Sequence, residues 1–253
     1  MKMPTPKFKA LLSSDWSECL SPTGPFDVIE FHYPHLAPAL KEVFRGYTGN
    51  LISLGEACRR ITALLPGPVT PDRMDAYLER GFAAYRGVPE LIEWCLRHDI
   101  LFMINTTAMI GYFQRVFARG LLPRVSVLSA NALIRFASAD TDPGEILALA
   151  ETSDKGKNTQ AVARTFGIPA NRVIVMGDSG GDGSHFEWAH AAGASTIGSM
   201  TKHSLAAFCR ERGIPIGVRF GVSYEEGETR DPEKEKRFDF MELVEPLQSL
   251  LAR

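Results

Sequence analysis

The residues best suited to chemistry stand together in Val173-Ile174-Val175-Met176-Gly177-Asp178-Ser179-Gly180-Gly181-Asp182. Four apolar, mostly β-branched residues there have the pattern of a buried strand, and the rest is a Gly-rich turn carrying two carboxylates. Turns at the carboxyl ends of strands are where open α/β sheets bind ligands. Acids at i and i+4 in such a turn suit a hard cation held by oxygen, magnesium above all. Gly-Asp-Ser is also ordinary turn chemistry, and Asp182 would serve equally as the N-cap of a helix starting at Gly183. More polar residues punctuate the chain upstream. Asp15 follows one apolar run, Asn105-Thr106-Thr107 follows another, and Lys155 and Lys157 stand at a helix start.

The elements that must position these residues alternate for most of the chain. The spacing predicts a strand over 8–14, then helices over 36–47, 54–65 and 71–85 with no strand among them. The breaks at Pro66-Gly67-Pro68 and Thr70-Pro71 separate the last two helices. A helix is predicted over 89–98, a strand over 100–104, a helix over 108–119, a strand over 125–128 and an extended piece over 133–136. Then follow a helix over 156–166, the strand before Asp178, and a helix over 183–192. A strand over 194–198, a helix over 201–212, a strand over 216–222 and a closing helix over 240–251 complete the series. The charged stretch 225–237 reads as a solvated loop, and the aromatic run Phe31-His32-Tyr33-Pro34-His35 as an irregular loop whose two histidines could alternatively meet a substrate. Strands alternating with helices imply an α/β fold, a mostly parallel sheet covered on both faces. The helical block 21–85 is then an insertion placed as a lid over the sheet's carboxyl edge.

Bulk properties narrow the function. The 253 residues are 45% hydrophobic and 23% charged, the balance of a soluble globular protein. A net charge of −2 gives no electrostatic case for nucleic acid or an anionic membrane. No apolar run approaches the roughly 20 residues of a transmembrane helix. The start of the chain lacks the apolar segment of a secretory signal, and the four cysteines form no metal-type pair, so reduced thiols and a cytoplasmic location are expected. The oligomeric state is not legible.

Asp15, the Thr pair, a lysine before a helix and the acidic turn, in that order, resemble the haloacid dehalogenase superfamily, whose members are mostly magnesium-dependent phosphohydrolases. The downstream half looks most like its phosphoserine phosphatase branch, through Lys155-Gly156, Asp178 to Phe186, and Val127-Leu128-Ser129-Ala130-Asn131. The resemblance implies a Rossmann-like core over 1–20 and 86–253 with a C1-type helical cap over 21–85. It implies hydrolysis of a small phosphorylated metabolite through an aspartyl-phosphate on Asp15. Asp15, the Ser17 carbonyl, Asp178 and Asp182 would hold magnesium, Asp182 directly or one layer out. Thr106 and Lys155 would grip the phosphoryl oxygens, with Asn105 or Thr107 as alternatives to the first and Lys157 to the second.

One motif departs from the pattern. Family phosphatases read Asp-x-Asp, whereas this chain reads Asp15-Trp16-Ser17-Glu18. The second Asp is the general acid and later the base, and a serine hydroxyl cannot efficiently replace it near neutrality. Glu18 is the nearest acid, but in an extended segment it points elsewhere. Asp15-Trp16-Ser17 also resembles the opening of phosphonoacetaldehyde hydrolases, which cleave a carbon–phosphorus bond with a cap lysine. The insert's one lysine is Lys41, whose distance from Asp15 is short for that family. The missing acid is equally compatible with a protein that binds phosphate without turnover.

Overall fold

Seven parallel strands in one sheet form the centre of the computed structural model, which describes residues 8–48 and 51–252. The reading of residues 1–7 as lacking a secretory signal lies outside the described residues. Strand β1 (Ala10–Ser14) is followed by four helices, α1 (Asp27–His32), α2 (Ala37–Thr48), α3 (Leu54–Leu64) and α4 (Pro71–Gly81). Helix and strand then alternate through α5 (Val88–Arg97), β2 (Ile100–Met109), α6 (Ile110–Ala118) and β3 (Val127–Asn131). The middle of the chain supplies β4 (Glu145–Ala148), α7 (Asp154–Thr165), β5 (Val173–Gly177) and α8 (Gly183–Ala192). The remainder is β6 (Ser195–Thr201), α9 (His203–Glu211), β7 (Val218–Ser223), α10 (Pro232–Glu235) and α11 (Val244–Leu251).

The strand order is β4-β3-β2-β1-β5-β6-β7. Strands β1, β2, β3 and β5 are buried at every residue, as parallel strands covered on both faces must be. From β1 the chain runs outward to β2, β3 and β4, then returns to β5 on the other side of β1. The crevice between the carboxyl ends of β1 and β5 is thus the switch point where open α/β sheets bind ligands. Asp15 follows β1 and Asp178 follows β5, and the two strands stay paired to this level, with the Asp15 N–H donating to the Met176 carbonyl at 3.0 Å.

Trp16 anchors the loop beyond β1. It is 1% exposed, stacks on Phe82 at a centroid distance of 6.4 Å and meets Phe113 of α6 edge-on at 5.6 Å. That aromatic contact ties the helical segment after β1 to the sheet. It fixes the direction in which Asp15 and Ser17 leave the strand.

Several expectations need correction. The second strand runs to Met109 with a register shift between Asn105 and Met109, so Asn105, Thr106 and Thr107 lie within it and its helix starts at Ile110. Residues 133–136 are not a strand; they pack on α6, the Ile134 carbonyl accepting from Gly111 N–H at 2.7 Å. The fourth strand is Glu145–Ala148, a half-buried edge whose mixed polarity hides it from pattern reading. The aromatic run begins as the end of α1, and the third insert helix stops at Gly81. Stretch 225–237 is not simply a solvated loop. It contains α10, and Glu235 within it is 0% exposed because Arg230, Tyr224 and Tyr85 bond its carboxylate. A buried charge with every partner supplied leaves no hydrophobic trace in sequence. Among the described residues no helix is long and apolar enough to cross a membrane.

Candidate active site

Asp15, Asp178 and Asp182 converge at the switch point, with one carboxylate oxygen of each within 4.8 Å of the others. All three are buried. The Asp15 carboxylate accepts from the Trp16 N–H at 2.7 Å through Oδ1 and from the Thr106 hydroxyl, and its Oδ2 stands 3.2 Å from Lys155 Nζ. Burial raises its pKa to about 6, Lys155 opposing and Asp182 adding. Asp178 is raised further, to about 8, by burial and by the neighbouring acids against the pull of Lys202. Its Oδ2 lies 2.8 Å from Lys202 Nζ, while Oδ1 has no hydrogen-bond partner among the described residues.

Asp182 is differently employed. Its Oδ1 contacts Lys155 Nζ at 2.5 Å, and its Oδ2 accepts from the N–H groups of Asp178 at 3.0 Å and Ser179 at 3.3 Å. Burial opposes its ionisation, but Lys155 and these bonds outweigh it and hold the carboxyl below the ordinary value. Asp182 does occupy the N-cap position of α8, but its carboxylate, rather than bonding the helix's first turn, turns back onto its own loop. Gly177 makes this possible: a Cβ there would sit 2.5 Å from Asp182 Cγ.

Lys155 is 1% exposed and bridges Asp15 and Asp182, whereas Lys157 is 72% exposed and pairs with Asp154 on the surface. Burial works against the Lys155 ammonium, yet Asp15 and Asp182 hold its pKa above the usual lysine value. Gly156 lets α7 come close to α8, since a Cβ there would lie 2.7 Å from Trp188 Cβ. Asn105 braces this corner from behind, donating to the Lys155 carbonyl at 2.9 Å and to Ser13 and Thr159. Thr107, one residue beyond Thr106, faces the space in front of Asp15 and has the Tyr47 hydroxyl 3.3 Å away.

That space is a cavity of about 20 Å³ whose wall includes Asp15, Ser17, Glu18, Tyr47, Thr107 and Lys155. Ser17 is buried, and its hydroxyl has no hydrogen-bond partner among the described residues. The expectation that Glu18 points away is overturned. Its φ of 61° is left-handed, not extended, and the chain curls so that Cys19, Leu20 and Ser21 N–H all donate to the Trp16 carbonyl. A strained non-glycine residue is costly and is held here by the surrounding bonds. Glu18 thereby lands on the cavity wall, its Oε1 2.5 Å from Arg230 and its Oε2 bonded to Lys202. Burial opposes its charge, but Lys202 and Arg230 hold its carboxyl below the usual range.

Sequence reasoning missed Lys202, Arg230 and His185. Lys202 follows β6 at its carboxyl end, where a lysine between a strand and a helix was a usable signal; its N–H donates to the Asp178 carbonyl at 2.8 Å. His185 is 0% exposed, bonded to Thr159 at 2.9 Å, and burial pushes its pKa down to about 3. His32 does not meet this cavity; its Nε2 contacts the Arg73 carbonyl. Lys41 is exposed and lines an outer cleft with Leu40 and Arg230 that adjoins this cavity through Glu18, Pro25 and Phe44, but Lys41 is not on the cavity's wall.

The donor set suits a hard divalent cation, being all oxygen and buried, with Asp178 Oδ1 unpartnered. Asp182 fits such a site as its brace, since both of its oxygens are engaged by the protein.

The fold is that of solved phosphoserine phosphatases and haloacid dehalogenase family hydrolases. Among solved structures, a substrate-bound phosphoserine phosphatase complex matches at a TM-score of 0.64 and 14% identity, over 94% of this chain and 98% of its own. A phospho-aspartyl intermediate analogue of phosphoserine phosphatase matches at 0.63 and 14% identity, over 94% and 99%. A haloacid dehalogenase family hydrolase from Salmonella enterica serovar Typhi matches at 0.60 and 16% identity, over 85% and 68%. The likeness is one of fold, carried at low identity. No family model and no curated protein sequence matches the chain.

Proposed function

We propose that the chain is a magnesium-dependent phosphohydrolase that acts on a small phosphorylated metabolite through an aspartyl-phosphate on Asp15. The observation that carries this reading is the contact of Asp15 with Lys155 beside Asp178 and Asp182, facing a cavity of about 20 Å³. Asp15 Oδ attacks phosphorus in line, and its carboxylate is a competent nucleophile because Trp16 N–H fixes its other oxygen. Lys155 and the hydroxyls of Thr106 and Thr107 grip the phosphoryl oxygens, and Lys155 keeps the acids from repelling one another. Asp15, Asp178 and the Ser17 carbonyl would hold the cation and Asp182 would brace them; when bound, the cation neutralises charge shared by phosphate and carboxylates. Residues 21–85 act as a cap over the core formed by 1–20 and 86–253, its Tyr47 and Phe44 closing the cavity from above.

The test is phosphate release from a broad panel of phosphate esters and acyl phosphates, with magnesium and with chelator, for wild type and Asp15→Asn. Release that needs magnesium and disappears in a folded Asp15→Asn variant is the expected result. Equal release by that variant would overturn the assignment. The carbon–phosphorus alternative gains no support from Lys41, which stands outside the cavity.

A further inference from the structure

Beside the cavity in front of Asp15 lies a second, smaller one of about 10 Å³, and Ser17 and Pro25 stand on the walls of both. Trp16, Thr23, Tyr77 and Tyr112 complete its polar side. Trp16, Ser17 and Tyr112 are 1%, 8% and 6% exposed. Even so, the Trp16 indole N–H and the Ser17 and Tyr112 hydroxyls have no hydrogen-bond partner among the described residues. Buried polar groups are nearly always bonded, so three orphans on one cavity wall point to a ligand atom. They are also held in place. Phe82 and Phe113 fix the indole ring from two directions, and Tyr112 meets Phe113 edge-on at 5.0 Å. A space of this size admits roughly one water-sized oxygen. The wall selects its chemistry. An indole N–H only donates, so an ammonium, also only a donor, would leave it unpaired. Among the described residues no cation lines the cavity. Burial raises the pKa of the Tyr77 and Tyr112 hydroxyls, and the nearby Asp27 carboxylate raises both further. A ligand carboxylate would be desolvated there beside a like charge, with nothing to balance it. A hydroxyl accepts from the indole and donates onward to Ser17 or Tyr112, which pairs the orphaned groups.

We infer that this second cavity binds a hydroxyl of the leaving group, and that the substrates are phosphate monoesters of small polyols rather than of amino or carboxylic alcohols. This rests on the phosphohydrolase reading above. The phosphoryl group sits against Asp15 and Lys155, and the alcohol reaches past Ser17 to set its second oxygen against Trp16 and Tyr112. Those two residues then determine specificity. A site that hydrogen-bonds a substrate hydroxyl rejects the analogue lacking it by as much as roughly 10⁴–10⁵-fold, because its own polar groups stay unpaired. A water standing in for the hydroxyl recovers part of this, so a preference of at least about 10²-fold is expected.

The experiment measures kcat/KM under magnesium for hydroxyethyl phosphate against ethyl phosphate and for glycerol phosphate against propyl phosphate. Phosphoethanolamine, phosphoglycolate and phosphoserine serve as charged counterparts. The expected result is a preference of about 10²-fold or more for each hydroxyl ester over its plain partner, with the charged esters no better than the plain ones. Tyr112→Phe, which removes one oxygen and keeps the ring, should cut that preference by roughly 3- to 10-fold. A second readout needs no turnover. The indole N–H resonance of Trp16, assigned by its loss in Trp16→Phe, should shift when hydroxyethyl phosphate binds the Asp15→Asn protein, and much less with ethyl phosphate. Equal kcat/KM within each pair, a preference for a charged ester, or a preference untouched by Tyr112→Phe would overturn the inference and leave the phosphohydrolase reading standing. Release from other phosphate esters but from none of these would do the same. Release from no ester at all overturns both. Should Tyr112→Phe not fold, the wild-type pairs and the indole shift decide.

Discussion

Replacing Lys155 by methionine would remove the ammonium but keep the length of the side chain. The group is 1% exposed and lies 2.5 Å from Asp182 and 3.2 Å from Asp15. Breaking a buried pair by removing one partner leaves an uncompensated charge, at a cost of about 3–5 kcal/mol. For a chain of this size each kcal/mol moves Tm by about 2–4 °C, so the variant should melt about 6–20 °C lower at pH 7 in chelator. Fluorescence of Trp16, Trp94 and Trp188 reports the transition. In wild type Lys155 depresses the folded pKa of Asp182, so that stability is present above the unfolded carboxyl value and lost as pH falls through the folded one. Without the lysine, burial is opposed by little more than the loop N–H groups, and that pKa moves up. The gap between wild type and variant should therefore be widest near neutrality and close toward pH 4. Adding Asp182→Asn should recover part of the loss, because the orphaned charge is gone. Lys157→Ala, on the surface, should change stability by no more than about 0.5 kcal/mol. An unchanged Tm for Lys155→Met, or equal effects at Lys155 and Lys157, would refute the reasoning.

Two further outcomes follow from the same geometry. In chelator, Asp15 and Asp178 carry folded pKa values of about 6 and about 8 against an ordinary 3.8, so the native state binds extra protons. Their contribution is fully present below about pH 4 and is lost as pH rises through 6 and then 8, so Tm should fall over that window and magnesium should flatten the fall; a Tm in chelator that rises from pH 5 to 8 would refute this. Gly177→Ala places a Cβ 2.5 Å from Asp182 Cγ and must displace that carboxylate from Lys155. A loss of about 1–3 kcal/mol is expected, together with weaker magnesium binding by calorimetry, and wild-type values for both would show that Asp182 is not held as described.

The α/β class, the strand before Asp178 and the helical run after the first strand were legible because their signals are local. An apolar run of β-branched residues, a Gly-rich turn and helical spacing report on neighbours within a few residues. The order of Asp15, the Thr pair, the lysine and the acidic turn was legible for the same reason. The choice between neighbouring residues of one type, Lys155 before Lys157 and Thr106 before Thr107, rested on the resemblance and not on any local signal. Lys155 and Lys157 differ in sequence by two places, but one is buried against two carboxylates and the other faces solvent, because only one side of α7 packs on β2 and α8. The Glu18 direction depended on a left-handed turn that its side chain does not advertise. Arg230 and Lys202 reach Glu18 from segments far along the chain, and such contacts exist only once the sheet has brought the ends of β1, β5 and β6 together. Chemistry of single residues, Ser17 in place of an acid above all, was written in the sequence. Their partners were decided by the fold, because buried charges are stable only where distant parts of the chain supply the opposite charge.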